Sequence, residues 1–521
     1  SSAASDVYKR QIDYSVDSKL DLHGLNSALK QLEANQLQEK QPEGEKIVPT
    51  DSSMSASSMS PETVEVRSPY DRSLISTVTL DSADHVEHVL ATAKSLFDNR
   101  DGWLPPYERI AILERLAVLM QEQREELIAT ALKEGGKPYT DTVVEVDRAI
   151  QGVKLGIQAI HQLHGEEVPM ALTAASSNRM AFTFLEPIGV VVSLSAFNHP
   201  LNLIVHQTIP AIAAGCPVVI KPAIATPASC QAFVKLLHQA GLPENWCQVV
   251  HLSNANAEKL ATDPRVGYLS FIGSAKVGWY LRSKLAPGTR CALEHGGAAP
   301  VIIDKTADLD AIIAPLVKGG YYHAGQVCVS VQRVFVPKDL IDDFAAKFSA
   351  RVQQLKVGDP ADKSTEVGPL IKPSEVARVG QWVDEAVAAG AKLLCGGKAI
   401  GETAYEPTVL LNPPASAKVS TMEIFGPVVC LYSYETLDQA VALSNSLPYA
   451  FQAAVFTANV DTAMYAVKRL NATAVMVNDH TAFRVDWMPF GGRDQSGMGM
   501  GGITYSAKEM SREKLMVLKV R

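Results

Sequence analysis

The chain has 521 residues, 47% of them hydrophobic, and a net charge of −8. That is ample for a large core and too long for one compact unit, so two or more domains are expected. The mild acidity gives no reason to expect nucleic acid or an anionic membrane as a partner, and no apolar run reaches the roughly 20 residues needed to span a bilayer. Seven cysteines, widely spaced and without Cys-x-x-Cys, argue against a disulfide framework and a cysteine zinc site. A reducing, cytoplasmic compartment fits that usage. The histidines include no His-x-x-x-His or His-Glu-x-x-His, so no metal site is expected.

Residues 1–60 carry no secretory signal and are poor in apolar side chains. This leader is expected to be disordered, or to be an artefact of gene prediction or cloning, and it is set aside from the fold. From about Val64 the sequence reads as globular. Apolar residues three and four apart predict helices over 105–120, 122–133 and 143–163. Short β-branched runs then begin at Ile188, Pro217, Gln248 and Val266, with helices over 228–239 and 255–261 between them. That alternation predicts a parallel sheet covered on both faces, with ligands at the carboxyl ends of its strands. A second series follows at 300–303, 331–336, 428–432, 452–456 and 474–477, separated by helices over 309–322, 340–355, 437–445 and 461–470. The expected fold class is α/β, with two Rossmann-like, doubly wound parallel-sheet domains.

Several strand ends carry groups with chemical potential. Cys328 lies in Gly325-Gln326-Val327-Cys328, where the small Gly325 allows close approach of a substrate. It reads either as a nucleophile able to form thiolate or as a buried, inert cysteine. Glu294 precedes His295-Gly296-Gly297, which suits a base that must pivot, or else an ordinary strand-end carboxylate. The turn from Ile272 through Gly273 and Ser274 to Gly278, followed by a helix to about Ala286, is an arrangement that receives a pyrophosphate, or a plain strand-to-helix turn. Lys221 ends a buried strand and must reach solvent, an anion or a sugar. Asn198 ends another; its amide can donate to an oxyanion or simply cap a turn. Glu423 precedes the strand at Val428.

Together, Phe197-Asn198-His199-Pro200, Ile220-Lys221-Pro222-Ala223, Phe271 to Gly278, Leu293-Glu294-His295-Gly296-Gly297, Gly325 to Cys328, Glu423-Ile424-Phe425-Gly426-Pro427 and Pro489-Phe490-Gly491-Gly492 resemble the aldehyde dehydrogenase superfamily, in its order and spacing. The resemblance runs from about Val64 to the C-terminus. It implies that Cys328 attacks the aldehyde, that Asn198 and the Cys328 backbone N–H hold the oxyanion, and that Glu294 is the general base that hydrolyses a thioester. It places Lys221 at the adenosine ribose, and Gly273, Ser274 and Gly278 at the pyrophosphate. Glu423 goes to the nicotinamide ribose, and Phe425 beside the nicotinamide. It implies an NAD(P)-binding domain over 61–295, interrupted by oligomerisation strands near 168–185, a catalytic domain over 296–500, and a C-terminal oligomerisation segment over 501–521. A homodimer or homotetramer is therefore expected.

Three departures from the family pattern carry expectations of their own. Ile224 stands where many NAD-preferring relatives have Glu, so NADP is expected to be tolerated as well as NAD. His295 stands where relatives usually have Leu. His199, His206, Arg484 and Phe490 stand at the substrate end, where a cation and two imidazoles suit a short polar or anionic aldehyde. The plain alternative is that Arg484 pairs with Asp486. This segment is similar to the branch with lactaldehyde, phosphonoacetaldehyde, non-phosphorylating glyceraldehyde-3-phosphate and succinate-semialdehyde dehydrogenases. The rival readings are a CoA-acylating semialdehyde dehydrogenase, disfavoured by the presence of Glu294, and a catalytically silent structural or binding member, disfavoured by the presence of Cys328, Glu294 and Asn198.

Overall fold

Val190, Val191 and Val192 are wholly buried because their strand, Val190–Leu194, is flanked in parallel by Val218–Lys221 on one side and Val266–Ile272 on the other. Cys247–Val249 and Arg290–Glu294 extend this sheet in parallel, and Gly497–Met498 closes one edge antiparallel beside Glu294. The computed structural model describes residues 62–520. The expected leader over 1–60 lies outside the described residues.

The order of this six-stranded sheet places sequence-adjacent strands on opposite sides of Val190–Leu194. Chain reversal at that point opens a crevice at the strand ends, the usual place for a ligand in such sheets. Helices Pro106–Glu122, Tyr139–Gln162, Asn202–Ala214 and Ala228–Gln239 pack into one apolar layer, and Ala83–Asp98 and Asn254–Thr262 into the other. Both faces are thus covered, which explains why the strands read as continuous apolar runs.

The second sheet has seven strands. Pro300–Ile303, Arg333–Pro337, Val428–Tyr434, Thr408–Leu411, Gln452–Phe456 and Ala474–Val477 run parallel, and Lys392–Cys395 is an antiparallel edge. The fold is α/β with two mainly parallel sheets. Lys392–Cys395 and Thr408–Leu411 escape the periodicity argument: each is four residues long, and the first is largely exposed. The antiparallel pair Thr63–Arg67 and Leu74–Thr79 escapes it because each strand buries a single residue and so shows no apolar run.

A third, antiparallel sheet joins Ser511–Lys519 to Arg179–Pro187, and the latter to Glu167–Val168. The last strand, Ser511–Lys519, lies within the segment 501–521. Leu515, Met516, Val517 and Leu518 are exposed along it. Among the described residues no helix is long and apolar enough to cross a membrane.

Candidate active site

A cleft of about 860 Å³ lies between the ends of the two sheets. Cys328, Glu294, Asn198, His199, Lys221, Ile224, Gly273, Ser274, Glu423, Phe425, Arg484 and Phe490 all line it. Sequence separation hides this meeting, and the strand ends create it.

The loop before Cys328 is held in an uncommon conformation. His323, Ala324 and Gly325 have φ of 47°, 54° and 70°, a left-handed run that is costly for the first two residues. A Cβ on Gly325 would stand 2.1 Å from the Gly426 carbonyl oxygen. Gly325 is therefore needed for backbone packing, not for substrate approach, and it does not line the cleft. Gln326 anchors the loop: its Oε1 accepts the Ile371 N–H at 2.9 Å, and its Nε2 donates to the His323 and Pro369 carbonyls. Asn198 Nδ2 donates to the Gln326 carbonyl at 2.9 Å. A carboxamide nitrogen carries two hydrogens, so one N–H of Asn198 remains for a second acceptor.

Burial pushes the Cys328 thiol well above its usual range, with Glu423 and Glu294 acting in the same direction and Arg484 opposing them. Burial also raises the Glu294 carboxyl, and Arg484 pulls it back down. A carboxyl raised toward neutrality suits a general base.

At the other end, Glu423 Oε1 is buried without a hydrogen-bond partner, while the backbone N–H of Gly297 favours the charged form of this carboxyl. Burial outweighs that bond and pushes the group up to about 8. A Cβ on Gly296 would lie 1.6 Å from Glu423 Oε1, whereas one on Gly297 would meet nothing nearer than 3.5 Å. Gly296 thus makes room for Glu423, and Gly297 does not face it with a Cβ. Phe425 has φ of 49° and meets Phe197 edge-on at 5.9 Å. Lys221 makes no ion pair among the described residues, and burial lowers its amine. The lining beside it is Ala223, Ile224 and Asn254.

The helix after Gly273 begins at Ala275, so Gly278 lies inside it and is absent from the cleft lining. It serves packing instead: a Cβ there would stand 2.0 Å from His295 Cε1. His295 fills the gap that Gly278 leaves, with Nδ1 2.9 Å from the Gly273 carbonyl. Ser274, the N-cap residue, makes no side-chain cap bond, so the first backbone N–H groups of the helix are open to an anion.

The substrate end differs from expectation in one respect. His199 lines the cleft, with Nε2 3.3 Å from Tyr322 Oη. His206 does not: it is buried behind Arg484, with Nε2 2.7 Å from Asp486 Oδ1. Arg148, which periodicity assigned only to a helix, lines the cleft and grips Asp486 with Nε and Nη2 at 3.0 and 2.7 Å. Arg484 Nε lies 3.9 Å from Asp486 Oδ1, so the expected ion pair is present but long, with no hydrogen bond between the two side chains. Its guanidinium lies 3.5 Å from the centre of the Phe490 ring. No local signal in the sequence marks Arg148; its partner is 338 positions away. Among the described residues no cluster of three or more His, Cys, Asp or Glu could hold a metal ion.

A sequence model described as the aldehyde dehydrogenase family matches residues 56–516. The chain is 36% identical to a 3-sulfolactaldehyde dehydrogenase of Priestia aryabhattai over 460 residues, 88% of this chain and 95% of that protein. It is similar to the crystal structure of aldehyde dehydrogenase 21 from Physcomitrella patens in complex with the reaction product succinate, with TM-score 0.85, 34% identity, and coverage of 88% and 95%. It is also similar to the glyceraldehyde-3-phosphate dehydrogenase GapN of Methanocaldococcus jannaschii complexed with NADP, with TM-score 0.83, 32% identity, and coverage of 88% and 99%.

Proposed function

We propose that this chain, which belongs to the aldehyde dehydrogenase family, oxidises a short anionic aldehyde to the carboxylic acid, with NAD or NADP as oxidant. The observation that carries the reading is one cleft holding Cys328, Glu294 and Asn198 between Arg484 at one end and Glu423, Lys221 and Ser274 at the other.

The cofactor end fits a dinucleotide. The unpartnered Glu423 Oε1 is an acceptor for a ribose hydroxyl. The open N–H groups after Ser274 suit a pyrophosphate. Lys221 would hold the adenosine ribose, and beside it Ile224 leaves room for a 2′-phosphate without repelling it. When bound, the nicotinamide accepts the hydride released from the aldehyde carbon.

The protein does the rest. Cys328 Sγ gives its proton to water in the cleft and bonds to the aldehyde carbon, and the carbonyl electrons move to oxygen. The spare N–H of Asn198 and the backbone N–H of Cys328 hold that oxyanion. Loss of hydride leaves a thioester on Cys328. Glu294 takes a proton from the attacking water, the C–S bond breaks, and the acid leaves while the thiol is restored. A base at position 294 favours water over CoA as the acyl acceptor.

Arg484 supports the anionic substrate. It is a buried cation beside Cys328, free of a carboxylate partner within hydrogen-bond distance. The similar proteins named above act on 3-sulfolactaldehyde, yield succinate, or oxidise glyceraldehyde 3-phosphate, and each of these molecules is an anion. The exposed strand Ser511–Lys519 supports a homodimer or homotetramer, since an open apolar edge favours a second copy.

The test is Arg484→Leu against a carboxylate-bearing aldehyde and an uncharged one of equal length. The expected result is a KM rise of about tenfold or more for the anion only, the scale of one lost charged hydrogen bond. Equal effects on both would remove the anionic reading.

A further inference from the structure

Arg484 makes no hydrogen bond to Asp486, whose Oδ1 lies 3.9 Å from its Nε, even though the two are close in sequence. The reason is that Asp486 is already committed. Arg148 donates to Oδ2 and Oδ1 at 3.0 and 2.7 Å, and His206 Nε2 lies 2.7 Å from Oδ1. A carboxylate only accepts, so His206 carries its proton on Nε2. A neutral imidazole holds one proton, so Nδ1 is an acceptor. Arg484 Nη2 stands 3.3 Å from that Nδ1 and donates to it. The chain of donors therefore runs from Arg484 to His206 to Asp486, with Arg148 closing it from the far side. His206 and Asp486 are 7% and 2% exposed, and neither lines the cleft.

The rest of the Arg484 surroundings shows what this chain of bonds does. Phe490 supports one face of the guanidinium, and Arg484 Nε is buried without a partner. The group is thus held by one weak acceptor and one ring, with donors to spare for a ligand. If Asp486 were free to turn, closing the 3.9 Å gap would neutralise Arg484 and consume those donors.

We infer that His206 and Asp486 are positioning residues for substrate charge: Asp486, pinned by Arg148, fixes the His206 tautomer whose Nδ1 aims Arg484 at the anionic end of the aldehyde. This rests on the reading of Arg484 as the anion receptor. His206 thereby sets specificity without touching substrate.

The experiment compares the holoenzyme with His206→Leu, His206→Asn and Arg484→Leu, using succinic semialdehyde and butanal. The readout is the ratio of the two KM values. His206→Leu removes the acceptor, and the ratio is expected to rise about tenfold. In His206→Asn the amide oxygen takes the place of Nδ1, and the ratio is expected to stay within about threefold of the parent. A change of ratio in Arg484→Leu but not in His206→Leu would overturn the inference and leave the receptor reading intact. No change in Arg484→Leu would overturn both. A second measurement needs no loss of packing: selective 15N-histidine NMR of the parent enzyme, with His206→Asn identifying the signal. It is expected to show a protonated Nε2 and a bare Nδ1 at His206. The opposite tautomer would overturn the inference.

Discussion

Glu423 Oε1 lies where a side chain on Gly296 would have to go, 1.6 Å from the ideal Cβ position. The carboxylate and the glycine define each other's space at the cofactor end of the cleft. Gly296→Ala is therefore expected to displace Glu423 and raise the cofactor KM by about tenfold, the loss of one hydrogen bond to a charged group. Gly297→Ala is the control, because a Cβ there meets nothing closer than 3.5 Å. Steady-state kinetics against NAD and NADP checks the pair. Equal effects at both positions would show that the steric account of Gly296 is wrong.

As the proposed general base, Glu294 is expected to govern the acidic side of the rate profile. Its carboxyl is raised by burial, and the ionised form is the base, so hydrolysis is lost as pH falls through that raised value. The acid limb of kcat is expected above the ordinary carboxylate range near 4.5. Arg484 lowers this carboxyl, so Arg484→Leu should move the limb to higher pH. Rates across a pH series in both proteins test the sign. A limb that moves down, or does not move, contradicts the contact.

Ile224→Glu tests the adenosine end. A carboxylate beside Lys221 repels a 2′-phosphate, so kcat/KM with NADP is expected to fall at least about tenfold while NAD is less affected. A parallel fall for both cofactors would mean that residue 224 does not face that phosphate.

The exposed strand Ser511–Lys519 carries Leu515 and Val517 on one face, 54% and 47% exposed. If the proposed oligomer forms through this strand, Leu515→Lys/Val517→Lys is expected to give a smaller mass than the parent in light scattering, because buried like charges oppose association. An unchanged mass would place the assembly interface elsewhere.

Much of this was legible in the sequence, and the reasons differ by residue. The strands Pro300–Ile303 and Gln452–Phe456 have the bounds that their apolar runs predict, because both faces of a parallel sheet are buried, and the half-buried edge strand Ala474–Val477 matches its run as well. Cys328, Glu294 and Asn198 are brought together as their motifs imply. His206 is different. Helix Asn202–Ala214 is buried on nearly every side, so no polar stripe tells which residues face the cleft and which lie behind it. Arg148 was hidden because its partner Asp486 comes from a loop far along the chain. The motifs of Gly278 and Gly325 suggest space for ligands, yet each glycine makes way for another part of the protein, namely His295 and the Gly426 carbonyl. A glycine in a motif reports that space is needed without naming the occupant.

The central claim is that Cys328 carries the substrate as a thioester that Glu294 releases. Its most direct test is the intact mass of Glu294→Gln after mixing with cofactor and the preferred aldehyde. Hydrolysis is expected to slow by two to four orders of magnitude, the range for loss of a general base. The protein should then gain the mass of the aldehyde less two hydrogens, on Cys328, together with one equivalent of reduced cofactor. Cys328→Ala should give neither. Reduced cofactor without an adduct, or turnover surviving in Cys328→Ala, would contradict the account.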